Sequence, residues 1–599
     1  MTPNEVVATL GKISLRKRLK RLIMPASQYS ALRFASSLAL LLMTGTMVLG
    51  QDKQPAPQEP IVGPVDLALS CPNAEYSDPQ PYRLFLPSQY DGTTKVPLLV
   101  ALHGTGGNHN KYFDHPGYGE GIYQREAEKH GFAVLCPLGT DLHIASNHVG
   151  ATEWRGLGEH SVFMAIEDVC QRFLIDEDRI ICSGQSMGGS GTSYLCQRYP
   201  DFFAAGIPLA SSYNHFTLLH NLKHCPILFV QGAQDWPVYA NDGPIPMTKQ
   251  LKELGYDAEL WMVPETGHNT MKVSTGRVFQ WASQQRLVKH PQHVTHRAYL
   301  PIHGRAFWTE IQGIENLGYF AEIDAKIESG NKIALTLRNT TDVAIRPEPE
   351  LLDLSSPIIV TVDGHQVFQG TCDIDHEIQL TKTQDGWNAT LADRTPRSRT
   401  AYRTHPIGVI VNPPTFDGEG ESSMGNWTCD MIRDITDADI AIMNKGHFRG
   451  APLRPNQPIH LVDLLNIIRP SQRQLVQFEI SGADLLKILE LNILDDLSKR
   501  KLNLIQVSGC QYKYDISKAY GSRIVETDVE ADRNYRVACE SHTLTRPDRV
   551  VLGDLRETIE YQWLEPTTIS AAWRYIVKCG GKMDGKLDGR IQQVTSSSP

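Results

Sequence analysis

Six short apolar runs between residues 96 and 264 are the feature that most constrains the fold of this chain. They read VPLLVALHG, GFAVLCPLG, RIICSG, AAGIPLA, CPILFVQG and AELWMVP, and most of them end at Gly or Pro. Continuous apolar runs are typical of parallel strands that are covered on both faces. Helical patterns such as VFMAIEDVCQRFL, with apolar residues three and four positions apart, separate the runs. The alternation predicts an α/β domain with a mainly parallel sheet over residues 80–290.

Beyond residue 290 the pattern of apolar residues changes twice. NKIALTLRN alternates apolar and polar positions, and PIIVTV-DG-HQVFQG is a hairpin signal with its turn at Asp363-Gly364. We therefore predict a small β-rich domain, a sandwich, over residues 295–398. Residues 400–595 mix the helical patterns SSMGNWTCDMIRDIT and GADLLKILELNIL with the strand patterns DIAIMN, LVQFEIS and YRVACE. A mixed α/β domain is expected there, and 599 residues suffice for several domains.

The first 50 residues are interpreted as an export signal or a membrane anchor. Seven basic residues and one acidic residue accompany the apolar segment FASSLALLLMTGTMVLG, which ends in small residues suited to cleavage. The segment is short for a membrane span and is diluted by Ser, Thr and Gly, which favours cleavage over anchoring. Residues 51–79, which begin QDKQPAPQEP, are interpreted as a linker and lead-in. The protein is expected to be periplasmic, extracellular or membrane-anchored.

The charge and the cysteines narrow the range of partners and cofactors. The net charge is −9 although the N-terminus is basic, so an acidic body argues against binding of a nucleic acid polymer. The eleven cysteines are an odd number, so disulfides in an exported protein would leave one thiol without an intrachain partner. No Cys or His spacing typical of zinc is present, and no metal or other cofactor is expected. Cys136 and Cys182 lie in apolar runs and are interpreted as buried residues.

The stretch GQSMGG, which directly follows RIICS, is the strongest indication of chemistry. It places Ser186 between a predicted strand and the predicted helix GTSYLCQRY. A strand-turn-helix elbow holds its serine in a strained turn, and the flanking glycines remove side chains that would clash. The Gly-x-Ser-x-Gly pattern also arises by chance, so the prediction that Ser186 is a nucleophile depends on this context.

A serine hydroxyl needs a base, and the base needs a carboxylate that orients it. In this architecture the chain order is serine, acid, histidine. CPILFVQGAQD delivers Asp235 just past a later strand, and AELWMVPETGH delivers His268 past the next one. We therefore predict that Ser186, His268 and Asp235 form a catalytic triad. Three competing candidates follow a strand less directly: Asp242, His290 and His293.

Attack on a carbonyl group builds negative charge on its oxygen, which two backbone N–H groups should face. One N–H belongs to the residue after the nucleophile, Met187, and the second is assigned to Thr105 in the glycine-rich loop of LLVALHGTGGN. Such a loop can also cradle phosphate, but the patterns that accompany a phosphate loop are missing. Trp154 and Trp236 are candidates for the wall of a ligand pocket, and a core position is the alternative for each.

Together, LHGTGG, CSGQSMGG, GAQD and TGH resemble the motifs of α/β-hydrolases. They are most similar to esterases grouped with polyhydroxybutyrate depolymerases and phospholipase/carboxylesterases, and the resemblance covers about residues 80–285. It implies an α/β-hydrolase fold and hydrolysis of a small-molecule or polymeric carboxylic ester through an acyl-enzyme, without a metal. Related peptidases share the constellation, so a peptide substrate stays open.

The C-terminal segment resembles a second family. ESSMGNWTCDMI, ADIAIMNKGHFRG, LVQFEISGADLLKILE and NYRVACESHTL are similar to the C-terminal domain of the 5′-nucleotidases. In that family this domain binds the nucleoside part of the substrate, while a separate metallophosphoesterase domain does the chemistry. Asn444 and Arg449 match the family's Asn-x-Gly-x-x-Arg loop and are candidate ligand-binding residues. Arg449 could hold a carboxylate or phosphate, and a surface salt bridge or loop anchor is its alternative role.

This chain departs from the 5′-nucleotidase pattern in three ways. The metal-ligand motifs of the catalytic domain are absent, Ser471-Gln472-Arg473 replaces a segment that carries a base-stacking ring, and ESHTLTRPD replaces a Gly-Gly-Asp segment. These departures favour a degenerate ligand-binding or interaction module. The expected function is therefore ester hydrolysis by an exported serine hydrolase. The alternatives are a nucleotide hydrolase that acts through the C-terminal domain and a binding protein without activity.

Overall fold

The computed structural model describes residues 61–72, 79–139, 154–211, 213, 215–236, 240–394, 406–415, 420–444, 453–467, 473–493, 504–545, 552–553, 555 and 558–595. The predicted leader of residues 1–50 and the candidate ligand residue Arg449 lie outside these ranges. Within these ranges, no helix combines the length and the apolar composition that a membrane span requires.

An eight-stranded sheet forms the N-terminal part of the described chain. Its strands are β1 Val65–Cys71, β2 Gln80–Leu86, β3 Val96–Leu102, β4 Ala133–Pro137, β5 Ile175–Gln185, β6 Ala205–Leu209, β7 Ile227–Gly232 and β8 Ala258–Val263. They lie in the order β1-β2-β4-β3-β5-β6-β7-β8, with β2 antiparallel to both of its neighbours and the remaining pairs parallel. This is the mainly parallel α/β-hydrolase sheet that the apolar runs and the motifs predicted.

The sheet begins earlier than the sequence pattern indicated. Strand β1 lies inside the segment 51–79 that was interpreted as a linker and lead-in, and it pairs antiparallel with β2. Its alternate residues Val65, Leu67 and Leu69 pack on the core, while the residues between them are exposed. An edge strand covered on one face alternates apolar and polar residues, so it lacks the continuous apolar run that marks the central strands.

Helices cover both faces of the sheet. They are α1 Lys111–Asp114, α2 Ile122–His130, α3 Leu157–Arg172, α4 Met187–Arg198, α5 Pro244–Glu253 and α6 Met271–Ala282, with 3₁₀ segments at Pro116–Tyr118 and Thr217–His224. Strand β3 contributes Leu98 and Val100 to the apolar core on one face, and Leu99 to the core on the other. Burial on both faces explains why β3 is apolar throughout. Cys136 and Cys182 are buried, as predicted.

Two five-stranded sheets follow the hydrolase sheet. Their strands are β9 His293–Ala298, β10 Arg305–Ala306, β11 Thr309–Ile314, β12 Ala321–Glu328, β13 Lys332–Arg338, β14 Thr340–Ile345, β15 Ile358–Val362, β16 His365–Gly370, β17 His376–Thr383 and β18 Gly386–Asp393. The orders are β10-β11-β14-β17-β18 and β16-β15-β13-β12-β9, and both sheets contribute to one apolar core. The predicted hairpin is confirmed: β15 and β16 pair across Asp363 and Gly364, whose φ angles of 48° and 83° suit a type I′ turn.

The C-terminal part mixes helices and strands, as predicted. Its strands are β19 Gly408–Asn412, β20 Ile440–Asn444, β21 Pro458–Ile459, β22 Gln474–Ser481, β23 Ile505–Ser508, β24 Tyr512–Tyr514, β25 Ile524–Thr527, β26 Asn534–Glu540, β27 Tyr561–Thr567, β28 Lys582–Asp584 and β29 Ile591–Gln593. Its helices are α7 Ser423–Thr436, α8 Leu461–Ile467, α9 Gly482–Leu491, α10 Ser541–Thr545 and α11 Thr568–Lys578. The predicted strands DIAIMN, YRVACE and LVQFEIS are β20, β26 and β22, which are neighbours in a five-stranded sheet of order β23-β20-β26-β22-β27.

Specific hydrogen bonds join these three parts of the chain. Gln474 at the start of β22 accepts a hydrogen bond from the Phe216 backbone N–H at 3.2 Å and donates to the Thr217 hydroxyl at 2.9 Å. The Tyr299 hydroxyl, next to β9, donates to the backbone oxygen of Glu565 in β27 at 2.5 Å. The C-terminal part therefore contacts both the hydrolase part and the β-rich part directly.

A buried carboxylate, that of Glu159, forms hydrogen bonds within the hydrolase part and with the β-rich part. Glu159 on α3 accepts hydrogen bonds from Tyr194 at 2.6 Å, from Tyr199, and from His303 Nε2 at 3.0 Å. Burial alone would raise the pKa of Glu159, but the charge and hydrogen bond of His303, together with the two phenols, outweigh burial and lower that pKa. Glu159 is therefore an ionised group held between the two parts.

Replacement of Glu159 by Gln should lower the free energy of unfolding at pH 7 by about 3–5 kcal/mol, because it leaves a buried ionic partner uncompensated. A lowered pKa in the folded state stabilises the protein above the ordinary value of 4.5, and this contribution is lost as the pH falls through the folded-state pKa. Chemical denaturation at pH 7 and at pH 4 measures both effects.

Glu167→Gln is the matched control, because Glu167 lies exposed on the same helix. We expect it to change the free energy of unfolding by less than about 0.5 kcal/mol. Wild-type protein and Glu159→Gln with the same stability at pH 7 and the same loss between pH 7 and pH 4 would contradict the assigned role of Glu159.

Candidate active site

The turn that carries Ser186 joins β5 to α4 under tight steric limits. Ser186 has φ 59° and ψ −116°, a strained conformation for a residue with a side chain, and its N–H donates to the Leu209 oxygen at 2.8 Å. A Cβ atom at Gly184 would lie 2.6 Å from the carbonyl carbon of Gly188, and one at Gly188 would lie 1.8 Å from the Leu102 oxygen. The glycines therefore allow the strand, the helix and β3 to approach closely, while Ser186 is turned out of the sheet.

The structure brings the three predicted triad residues together. His268 Nε2 lies 2.9 Å from Ser186 Oγ, and His268 Nδ1 lies 2.9 Å and 3.1 Å from the two carboxylate oxygens of Asp235. Ser186 follows β5, Asp235 follows β7 and His268 follows β8. The carboxyl ends of these three strands meet at one edge of the sheet. The Asp235 side chain is 1% exposed and that of His268 is 32% exposed. A shielded carboxylate therefore supports an imidazole that solvent and substrate can reach.

Two glutamines support this triad, and neither was predicted from the sequence. Gln231 in β7 donates a hydrogen bond to Asp235 Oδ2 at 2.6 Å, and Gln185 donates to the backbone oxygen of His268 at 2.5 Å. The Trp236 N–H donates to the other carboxylate oxygen of Asp235 at 2.8 Å. Both glutamines stand near the end of a strand that is otherwise mostly apolar, Gln231 in CPILFVQG and Gln185 in SGQS. A buried amide needs a hydrogen-bond partner, and this was the signal in the sequence that could have indicated their roles.

The two competing histidines, His290 and His293, contact carboxylates other than that of Asp235. His290 Nδ1 is 2.8 Å from a carboxylate oxygen of Glu348, and His293 Nε2 is 2.9 Å from Asp324. Glu348 follows strand β14 and Asp324 belongs to β12, so both histidines contact the β-rich part.

The loop after β3 lies against the nucleophile turn. A Cβ atom at Gly104 would lie 3.4 Å from Ser186 Cβ. His103, the residue before Gly104, donates a hydrogen bond from Nδ1 to the Gly104 oxygen at 3.0 Å. Its Nε2 accepts a hydrogen bond from the Gly139 N–H at 3.1 Å. Burial lowers the pKa of His103 to about 4, so its ring is neutral and Nε2 can accept. Thr105 is exposed directly beyond Gly104.

Met187, the other predicted oxyanion donor, is the first residue of α4. Backbone N–H groups in the first turn of a helix have no intrahelical acceptor, and the helix dipole favours negative charge there. Met187 thus directly follows Ser186, and Thr105 lies in the loop whose Gly104 approaches Ser186.

The two candidate pocket tryptophans lie in different settings. Trp154 is fully buried, its indole N–H donates to the His103 oxygen at 3.0 Å, and its ring fills the space beside Gly191. It occupies a core position, the alternative stated for it above. Trp236 is 52% exposed, and its ring centroid lies 5.3 Å from that of His268. Trp236 therefore presents an open apolar surface beside the imidazole.

Of the two candidate ligand residues in the C-terminal part, Asn444 lies within the described residues and Arg449 does not. Asn444 ends β20, is fully buried and pairs with Ile505 of β23. Arg449, Ser471 and Gln472 lie outside the described residues, whereas Arg473 is buried at the start of the segment that leads into β22. Across the described part of the chain, no group of three or more His, Cys, Asp or Glu side chains is placed to hold a metal ion.

Comparisons with known proteins agree with both resemblances. Residues 406–552 match the model of the family described as 5′-nucleotidase, C-terminal domain. The chain is 25% identical to feruloyl esterase B of Talaromyces funiculosus over 172 residues, which are 27% of this chain and 47% of that protein. It is 27% identical to an acetylxylan esterase of Coprinopsis cinerea over 135 residues, 22% of this chain and 35% of that protein. The chain thus spans less than half the length of these relatives.

Solved structures match a longer portion of the chain, at lower sequence identity. An S-formylglutathione hydrolase from Agrobacterium tumefaciens has a TM-score of 0.32 and 17% identity, and the match covers 37% of this chain and 95% of that one. The fluorophosphonate-binding serine hydrolase F of Staphylococcus aureus has a TM-score of 0.29 and 18% identity, covering 37% of this chain and 100% of that one.

Replacement of Gly188 by Ala should destabilise the protein by several kcal/mol, on the scale of about 3 kcal/mol or more for severe backbone clashes. The added Cβ would lie 1.8 Å from the Leu102 oxygen and 2.6 Å from its carbonyl carbon, so the backbone of a central strand would have to shift. Thermal or chemical unfolding measures the change.

Gly106→Ala is the matched control in the neighbouring loop. Gly106 has φ +71° and nothing within 4 Å of its Cβ position, so only the cost of a left-handed conformation, about 1 kcal/mol, is expected. Equal losses of stability in the two variants would show that close approach is not what requires Gly188.

Proposed function

We propose that this protein is a serine hydrolase that cleaves carboxylic esters through an acyl-enzyme. The observation that carries the proposal is the continuous hydrogen-bonded chain from Ser186 Oγ through His268 to Asp235. The similarity to feruloyl and acetylxylan esterases supports the same reaction class.

In the proposed reaction, Ser186 Oγ attacks the ester carbonyl carbon while His268 Nε2 takes its proton. Asp235 fixes the proton of His268 on Nδ1 and stabilises the imidazolium. The negative oxygen of the tetrahedral intermediate is held by the backbone N–H groups of Met187 and Thr105. The imidazolium then gives its proton to the leaving alkoxide, and water repeats the sequence to release the acid and restore Ser186.

The surroundings of His268 suggest the kind of ester. The exposed ring of Trp236 offers a flat apolar surface beside the base, suited to stacking against an aromatic acyl group or a sugar ring. Feruloyl and acetyl esters, which the names of the relatives specify, are therefore the first substrates to test. The alcohol could be a small molecule or a polymer, and a peptide bond is the competing substrate.

We also propose that the protein is exported. The basic and apolar character of residues 1–50 supports an export signal that is cleaved or retained as an anchor. Substrate would then be met outside the cytoplasm.

Ser186→Ala removes the nucleophile and should lower the hydrolysis of p-nitrophenyl acetate and butyrate by at least about 10³-fold. Initial rates of p-nitrophenol release measure the effect. A series of esters that differ in acyl length, including a feruloyl ester, then defines the preferred acyl group.

Ser193→Ala is the matched control for this variant. Ser193 is buried on α4, the helix that follows Ser186, and its hydroxyl has no hydrogen-bond partner in the part of the chain that the structure describes. Its loss should leave the rate within about twofold, since only a small structural change is made. Full activity of Ser186→Ala would refute the assignment of the nucleophile.

A second candidate function is nucleotide hydrolysis, favoured by the match of residues 406–552 to the 5′-nucleotidase C-terminal domain. That reaction needs the two-metal clamp of a catalytic domain whose motifs this sequence lacks. We therefore propose that the C-terminal part is a ligand-binding or interaction module, and we expect no phosphate release from AMP with added Mn²⁺ or Zn²⁺. Release that EDTA stops and Ser186→Ala leaves intact would establish the second function instead.

A further inference from the structure

The phenol of Tyr118 lies beside the nucleophile, and no step of the mechanism above uses it. The Cβ position of Gly104 is 3.4 Å from Tyr118 Oη and also 3.4 Å from Ser186 Cβ. The phenol oxygen and Ser186 Cβ are therefore at most twice that distance apart, and both lie against the loop that is expected to hold the oxyanion. Tyr118 is only 6% exposed, so its side chain points into the protein rather than into bulk water.

The chain holds Tyr118 in this place through two neighbouring segments. Tyr118 ends the 3₁₀ segment Pro116–Tyr118, and the Gly117 oxygen in that segment accepts a hydrogen bond from Asn269 at 2.6 Å. Asn269 directly follows His268, so the turn that carries Tyr118 is tied to the loop of the base. On the other side, the Tyr118 ring packs 5.3 Å from the ring of Tyr112.

Tyr112 in turn is fixed to the central strands. Its hydroxyl donates to the Leu102 oxygen at 2.7 Å and accepts from the Gln185 N–H at 3.0 Å. Leu102 ends β3 and Gln185 ends β5, the two strands that precede the oxyanion loop and the nucleophile. The position of Tyr118 is thus set by the same elements that set the position of Ser186.

The Tyr118 phenol is a hydrogen-bond donor with an unused proton. The Gly104 backbone N–H faces the phenol oxygen and favours its negative form, and no acceptor for the phenol proton is found among the residues that the structure describes. Burial raises the pKa of Tyr118 to about 12, more than offsetting the opposite effect of the Gly104 N–H, so the phenol keeps its proton at neutral pH. The Lys111 ammonium, 5.1 Å from the ring centre, adds positive potential on this side of the site.

We propose that Tyr118 is a third oxyanion donor, whose phenol O–H hydrogen-bonds the substrate carbonyl oxygen that becomes negative when Ser186 attacks. The inference rests on the proposed function of Ser186. The proton stays on the phenol throughout, and the hydrogen bond strengthens as the oxygen gains charge. Because the bond is strongest in the transition state, it should act on kcat more than on KM.

Tyr118→Phe removes the hydroxyl and keeps the ring. We expect kcat/KM for p-nitrophenyl acetate to fall about 10- to 100-fold, mostly through kcat, with KM within about twofold. A trifluoromethyl ketone forms a hemiketal oxyanion on the nucleophilic serine, so its inhibition constant should rise by a similar factor. The inhibition constant separates oxyanion binding from a general loss of structure.

Tyr123→Phe is the matched control. Tyr123 belongs to the same aromatic group, with its ring 4.6 Å from that of Tyr112, and its buried hydroxyl faces the Met271 sulfur at 4.0 Å. This variant loses a buried hydroxyl whose partners are Met271 and Ser183, and its kinetics should stay within about twofold of wild type.

The outcomes separate this inference from the proposed function. If wild-type protein hydrolyses esters and Ser186→Ala does not, unchanged kcat and ketone affinity in Tyr118→Phe would overturn the role of Tyr118 and leave the function standing. A rise in KM at constant kcat, or a loss of activity shared with Tyr123→Phe, would also overturn it. Wild-type protein without esterase activity would overturn both.

Discussion

The close approach of α4 to the ends of β3 and β6 is the constraint on which the rest of the site depends. Gly188 sits against the Leu102 oxygen, and Gly189 sits against the Leu209 oxygen, where its Cβ would be 2.5 Å away. The Ser186 N–H completes this contact by donating to the same Leu209 oxygen. With no side chains at the contact, the turn must hold Ser186 at positive φ, and its hydroxyl is directed at His268. The loop after β3 lies against the same turn, and Tyr118 lies against that loop.

The parts that follow the hydrolase sheet are packed onto it by polar groups as well as by apolar surface. Leu218 and Tyr299 share an apolar core with Met424 and Trp427 of α7. Glu159, Gln474 and the Tyr299 hydroxyl add directional hydrogen bonds that specify how these parts meet. A C-terminal part that matches the 5′-nucleotidase C-terminal domain is thus held against the hydrolase sheet.

Much of this architecture could be predicted from the sequence because it depends on local patterns. Central strands carry apolar runs, and the carboxyl ends of parallel strands meet at one edge, so the order of Ser186, Asp235 and His268 was enough to propose that they converge. The edge strand β1 lacks such a run and was not predicted. The roles of Gln231, Gln185 and Tyr118 depend on contacts between segments far apart in the chain, which no local pattern encodes. A local pattern also does not distinguish the buried Trp154 from the exposed Trp236, because burial depends on contacts with distant segments.

The most direct measurement of the central claim is peptide mapping of the intact protein after reaction with a fluorophosphonate, which phosphonylates only an activated serine. We predict one adduct per chain, located on Ser186, and hydrolysis of esters that disappears in proportion to the extent of labelling. An adduct on a different residue, or continued ester hydrolysis by protein fully labelled at Ser186, would contradict the account.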